Sequence, residues 1–210
     1  MAAKQHQTRA AAVLAAGFLA GLAAYPYLPG PFLRVTPSAR VLVAFTLPTT
    51  ALVVYALFRS LWTHDRVRCG NGAFEQTYHA IVFRALLFIT ALHILVMAEL
   101  TGVVSTAGLG IAAGRVVVVL IGIVLIAIGN LLPRTRPNVA LGVRTSRTLT
   151  NAQLWQQVHR AGGYVTVALG LVIAITGVVL TRELVAGVAA AAAVCAALSV
   201  AISYRRYARA

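Results

Sequence analysis

The chain has 210 residues, 60% of them hydrophobic and only 10% charged, with a formal net charge of +14. A soluble domain of this size needs a polar shell in which about a quarter of the residues are charged, so a water-soluble globular class is excluded and an integral membrane protein is expected. The positive charge does not point to nucleic acid, because the basic residues sit in the gaps between apolar runs and do not form a soluble face with aromatics between them.

Six apolar segments are long enough to cross a hydrocarbon core as helices of about 20 residues. They fall at 9–28, 41–62, 79–101, 111–132, 162–181 and 184–204. Only helices satisfy the backbone internally over such lengths in lipid, so the expected fold is an all-α polytopic bundle. The first 24 residues resemble a signal peptide, but with further spans behind them they read as a retained first span. Gly17 with Gly21, and Gly110 with Gly114, form GxxxG pairs, and Gly163, Gly170 and Gly177 recur every seven residues. Such faces let helix backbones approach closely.

Charge sets the expected direction. Lys4 and Arg9 precede span 1, Arg59, Arg66 and Arg68 surround the second connector, and Arg134, Arg136, Arg144, Arg147 and Arg160 occupy the fourth. Arg205, Arg206 and Arg209 follow span 6, while the opposite side holds Arg34, Arg40 and Arg182. By the positive-inside rule both termini and the fourth connector are expected to face the cytoplasm.

Arg84, His93 and Glu99 lie within the third span and Arg115 within the fourth. Intramembrane ionisable groups are functional candidates by default. Arg84 is close enough to the cytoplasmic end to snorkel. Glu99 and Arg115 read as a structural ion pair. His93 is the deepest, and its alternatives are to relay protons, to line a cavity or, as is commoner, to make one helix–helix hydrogen bond. Near the second connector, His64, Asp65, Cys69 and His79 match no metal-ligand spacing and read as part of a solvated loop. Cys69 and Cys195 encode no disulfide framework. No nucleophile elbow, phosphate-cradling loop or HExxH is present, and the four acids are scattered. A non-enzyme with no cofactor and no metal is expected.

The fourth connector, GNLLPRTRPNVALGVRTSRTLTNAQLWQQVHR from Gly129 to Arg160, has five arginines and no acid. Pro133 and Pro137 stiffen the segment to Asn138, which tolerates a turn, and Gly142 permits a positive φ. Thr150 and Gln153 match a capping box, so a short amphipathic helix is predicted from about Asn151. On it Leu154, Trp155 and Val158 share a side, and His159 lies one turn beyond Trp155. This helix is predicted to lie along the membrane surface and to bend into span 5 at Gly162 and Gly163.

The same stretch resembles the signature of the SdpI family of bacterial membrane proteins. The matching positions are Gly129, Asn130, Pro133, Arg134, Arg136, Pro137, Asn138, Gly142, Val143, Arg144, Thr145, Thr148, Leu149, Trp155, His159, Arg160 and Gly163. Family members often have Pro-Trp where this chain has Ser146-Arg147, and many carry an N-terminal DUF1648-type region with a larger loop than YPYLPGPFLRVTPSAR. The resemblance divides one integral membrane domain into an N-terminal four-helix region, 1–132, and an SdpI-like module, 129–210. It implies immunity against a secreted, membrane-active toxin peptide and signalling to a cytoplasmic repressor, with Arg144, His159 and Arg160 the leading contact residues. Anionic lipid head groups are the other expected partner, and the Gly- and Ala-rich faces are compatible with a homo-oligomer. Two competing readings are a small transporter or lipid-handling protein, and a structural subunit of a larger membrane complex.

Overall fold

The computed structural model describes residues 2–28, 37–69, 75–104, 113–138 and 140–179, together with positions 190, 193–198, 201, 204 and 205. The described chain is helical: α1 (Ala2–Ala24), α2 (Pro37–Cys69), α3 (Glu75–Leu100), α4 (Ala113–Gly129), α5 (Ser146–Thr150) and α6 (Ala152–Val179). Short 3-10 turns at Tyr25–Tyr27 and Leu132–Arg134 follow α1 and α4. Among the described residues five helices (all but α5) are long and apolar enough to cross a membrane. The described chain is thus all-helical and has the several apolar helices of a multi-pass membrane protein. The expected sixth span, 184–204, lies mostly outside the described residues, as do Gly110 and Arg182.

Two sequence expectations are corrected here. Helix α2 continues through His64, Asp65 and Cys69, which therefore sit on a helix end and not in a loop. Apolar spans mark only the part of a helix that needs lipid, and a helix does not stop where its side chains become polar. The segment after Asn151 is also not a separate surface helix bending at Gly162 and Gly163. It is the first part of a continuous 28-residue α6.

The chain divides into two compact units, Met1–Leu57 with Ala85–Gly114, and Phe58–Arg84 with Arg115–Ala210. In the first unit Ala24, Leu28, Ala44 and Met97 form a buried cluster, and Phe18 stacks on Phe45 with ring centroids 6.4 Å apart. Proline within a helix removes a donor. Pro48 lies inside α2 and has no N–H for the Ala44 carbonyl four residues earlier. That oxygen faces Gly21 of α1, where an added Cβ would collide with it. Gly17, one turn back, packs against Pro48 and Thr90, and Thr90 Oγ1 donates to the Val13 carbonyl at 3.4 Å. The Gly17–Gly21 pair is thus a close helix-packing face.

His93 is fully buried in this unit. Its Nε2 lies 3.3 Å from where a Gly21 Cβ would be. Neither ring nitrogen has a hydrogen-bond partner among the described residues; the Gly17 backbone is a polar neighbour, outside good hydrogen-bond geometry.

In the second unit, Trp62 and Tyr78 pack at 4.9 Å, and the Tyr78 hydroxyl donates to the Phe58 carbonyl at 2.6 Å. His79 contacts Trp62 and lies 3.8 Å from Glu75. Arg84 Nη1 reaches back one turn to the Ala80 carbonyl at 3.2 Å, toward the N-terminal end of α3, as a snorkelling side chain there would. Helices α4 and α6 pack antiparallel through glycines. Gly122 faces Gly170, and Gly129 faces Gly163 and Val167. Gly177 meets Val118 and Val119. The seven-residue stripe on α6 is therefore a packing face, answered on α4 by two glycines with the same spacing. At its far end Arg115 Nη1 donates to the Val178 carbonyl at 3.5 Å.

Candidate functional site: the arginine-rich connector

The connector between α4 and α6 is a folded element held by its uncharged polar side chains. Helix α4 ends at Gly129, and the Asn130 N–H still bonds Ile126 O at 3.1 Å while its side chain is exposed. The 3-10 turn over Leu132–Arg134 places Pro133 against Gly163, where an added Cβ would lie 2.8 Å from the proline Cδ. Thr135 is buried. Its hydroxyl donates to Leu132 O at 2.7 Å and accepts from the Trp155 indole Nε1 at 3.3 Å.

Asn138, 1% exposed, closes the next turn. Its Oδ1 accepts from the backbone N–H groups of Ala140 at 2.9 Å and Leu141 at 2.7 Å, and its Nδ2 donates to Arg136 O at 2.7 Å. Three of the amide's four hydrogen-bonding positions are spent on its own loop, which is the Asx-turn role expected of asparagine there. Gly142 follows with φ +99°. Here only glycine fits. The backbone is left-handed, and an added Cβ would run into the His159 ring.

His159 locks the far side. The Val143 N–H donates to Nε2 at 3.1 Å, and Nδ1 lies 2.8 Å from the Trp155 carbonyl. A carbonyl only accepts and an N–H only donates, so the ring is the neutral imidazole with its proton on Nδ1. It stacks on Trp155 at 3.9 Å with 15° between planes. Trp155 is completely buried and His159 is 3% exposed.

The capping box forms at Thr145 and Thr148, not at Thr150 and Gln153. Thr145 Oγ1 accepts from Thr148 N at 3.2 Å, and Thr148 Oγ1 accepts from Thr145 N at 2.9 Å. Thr148 also donates to Val143 O at 2.8 Å. The start of α6 is capped by Asn151, whose Oδ1 accepts from Leu154 N at 3.0 Å. Tyr204, from the last described part of the chain, donates its hydroxyl to Thr145 Oγ1 at 3.2 Å.

The structure thus brings Pro133, Asn138, Gly142, Thr145, Thr148, Trp155 and His159 into one interlocked scaffold. Arg134, Arg136, Arg144, Arg147 and Arg160 are all exposed on it. Arg84, His93, Glu99 and Arg115 are not part of it. Two residues essential to this scaffold escape the sequence reading. Thr135 gives no signal beyond lying between two arginines, and Tyr204 lies 59 positions from its partner.

Residues 134–204 match the SdpI/YfhL protein family. The match begins inside the connector and runs through α5, α6 and the segment bearing Tyr204. Over those residues the chain is similar to the SdpI family. No curated protein and no solved structure matches the chain. The SdpI match covers the scaffold from Arg134 through His159 and the exposed arginines together.

Proposed function

We propose that this protein is a non-enzymatic immunity and sensing factor of a bacterial inner membrane. In this reading the helices intercept a secreted, membrane-active toxin peptide in the bilayer, and the connector passes the event to a cytoplasmic regulator. The observation that carries it is the division of labour in the SdpI-matched connector. Its buried Thr135, Asn138, Thr148 and His159 spend their hydrogen bonds within the segment, while its five arginines are exposed with no acid anywhere in the segment. A guanidinium surface of this kind fits carboxylates of an acidic partner in bidentate fashion.

The test is survival of sensitive bacteria expressing the protein and challenged with secreted membrane-active peptides. Replacing Arg144 and Arg147 together by glutamine should reduce survival to that of cells lacking the protein, at unchanged membrane abundance. His159→Ala should lower abundance and survival together, because His159 is a positioning residue that holds the loop. Full protection by the double arginine variant would end the proposal.

One observation favours a second reading, transport. His93 is buried without a hydrogen-bond partner for either nitrogen among the described residues, as expected of a group that exchanges protons with a moving solute. Proton flux in vesicles that is lost in His93→Leu would establish it; equal flux in both would dismiss it.

A further inference from the structure

Two adjoining open recesses flank the N-terminal part of α6. One, of about 280 Å³, lies between Arg136 and Pro137 of the connector and Gln153 and Gln156 of the helix. The other, of about 390 Å³, shares those two glutamines and continues past Gln157 and Arg160 to Tyr164. The side chains of Arg136, Gln153, Gln156, Gln157 and Arg160 are exposed, and no hydrogen bond or ion pair engages them among the described residues. Two guanidiniums and three carboxamides therefore face one groove with their donors unspent. The connector contains no acid, so an anion that pairs with these two guanidiniums has to come from outside it, and such charge-assisted bonds are the strong ones.

The occupant follows from what lies below the groove. Gln153, Gln157, Arg160, Tyr164, Leu171 and Ile175 are spaced by three, four or seven residues and so fall on one face of α6. On that face Tyr164 is 69%, Leu171 48% and Ile175 59% exposed, whereas the glycine face that packs on α4 is buried. From Tyr164 to Val179 this apolar face rises about 22 Å, longer than one leaflet's share of a hydrocarbon core of about 30 Å. The 28-residue helix is itself about 42 Å long. Its excess over the core leaves the glutamine–arginine end at head-group level. A soluble acidic peptide would satisfy only the polar half of this stripe. A phospholipid satisfies both, with its phosphodiester between the guanidiniums and its acyl chain along Tyr164, Leu171 and Ile175.

We infer that this groove is a binding site for one anionic phospholipid, its head-group phosphate held by Arg136 and Arg160 with the α6 glutamines. The inference needs only that the chain spans a membrane, and it stands whether or not the protein confers immunity.

The full-length protein in nanodiscs of phosphatidylcholine, alone or mixed equally with phosphatidylglycerol, provides the test. Lipid retained after transfer to detergent is counted by native mass spectrometry. Phosphatidylglycerol should be retained in preference to phosphatidylcholine. Arg160→Gln should weaken that retention about tenfold, the effect of losing one charge-assisted contact. Arg9→Gln, which removes the same charge from a residue that lines neither recess, should leave it unchanged. If Arg160→Gln accumulates poorly, Arg136→Gln on the opposite wall carries the same expectation. Equal retention of the two lipids, or equal loss in Arg160→Gln and Arg9→Gln, overturns the site. So does displacement by glycerol 1-phosphate, which would mark a free-anion site, or by a glutamate-rich peptide, which would mark a protein-docking surface.

Discussion

Gly142 shows how one residue type can be required twice over. Its φ of +99° is a conformation that L side chains rarely adopt, and the space a Cβ would need is filled by His159. Gly102 separates the two demands. It has φ +73° but nothing within 4 Å of an added Cβ. Alanine at Gly102 should therefore carry only the conformational cost, about 1 kcal/mol. Alanine at Gly142 should carry that cost plus displacement of the His159 ring from Val143 and Trp155, about 1 kcal/mol for the lost hydrogen bond and a similar amount for the stack. In a chain of this length each kcal/mol lowers Tm by about 2–4 °C. Thermal melts in detergent should show Gly142→Ala falling clearly further than Gly102→Ala; equal falls would mean that the ring yields without penalty. His159 itself illustrates a limit of reading residues singly. Beside Arg160 in a basic segment it looks like a contact residue, and only three-dimensional contacts with Val143 and Trp155 reveal that both of its nitrogens are already engaged.

Helix pairing is the next scale, and here sequence spacing is informative for one partner at a time. Gly163, Gly170 and Gly177 announce a face through their period, but which helix they meet depends on Gly122 and Gly129, whose shared spacing acquires meaning only once α4 and α6 are antiparallel. The capping box moved for a similar reason. Thr145 and Thr148 offer a Thr-x-x-Thr pattern less diagnostic than Thr150 with Gln153, yet the pull of Val143 O and Tyr204 on the first pair decides the outcome. The length of α2 and the continuity of α6 were not legible from hydropathy, which reports where lipid is needed and not where hydrogen bonding ends. The turn at Asn138 and the left-handed Gly142 were legible, because they depend on local backbone chemistry alone. The glycine face has a direct test. At Gly170 an added Cβ would lie 2.7 Å from Gly122 O and 2.9 Å from Ile126 N, so backbones must separate; at Gly114 it would meet nothing within 4 Å. Gly170→Ala should cost about 1–3 kcal/mol through overpacking. Gly114→Ala should be neutral or stabilise by up to about 1 kcal/mol through helix propensity. Melting curves that rank the two the other way would remove close packing as the reason for these glycines.

For the whole molecule the decisive quantity is parity. Four of the membrane-length helices, α1 to α4, precede the connector. If each crosses, the N-terminus and the connector share a side of the membrane, whatever follows α6. We propose that this side is the cytoplasm, since Arg134, Arg136, Arg144, Arg147 and Arg160 sit in a connector short enough for the positive-inside rule to apply. The proposed regulator contact and the proposed lipid groove both depend on this orientation, because an inward-facing leaflet would supply the anionic head groups and the cytoplasm the partner. Ser146 is exposed at the start of α5 and tolerates replacement without touching the capping hydroxyls of Thr145 and Thr148. In a background with Cys69 and Cys195 changed to serine, Ser146→Cys should resist a membrane-impermeant maleimide in intact spheroplasts and react after permeabilisation. Labelling without permeabilisation would place the arginines outside the cell, where no cytoplasmic regulator reaches them, and the proposed signalling route would fail with the orientation.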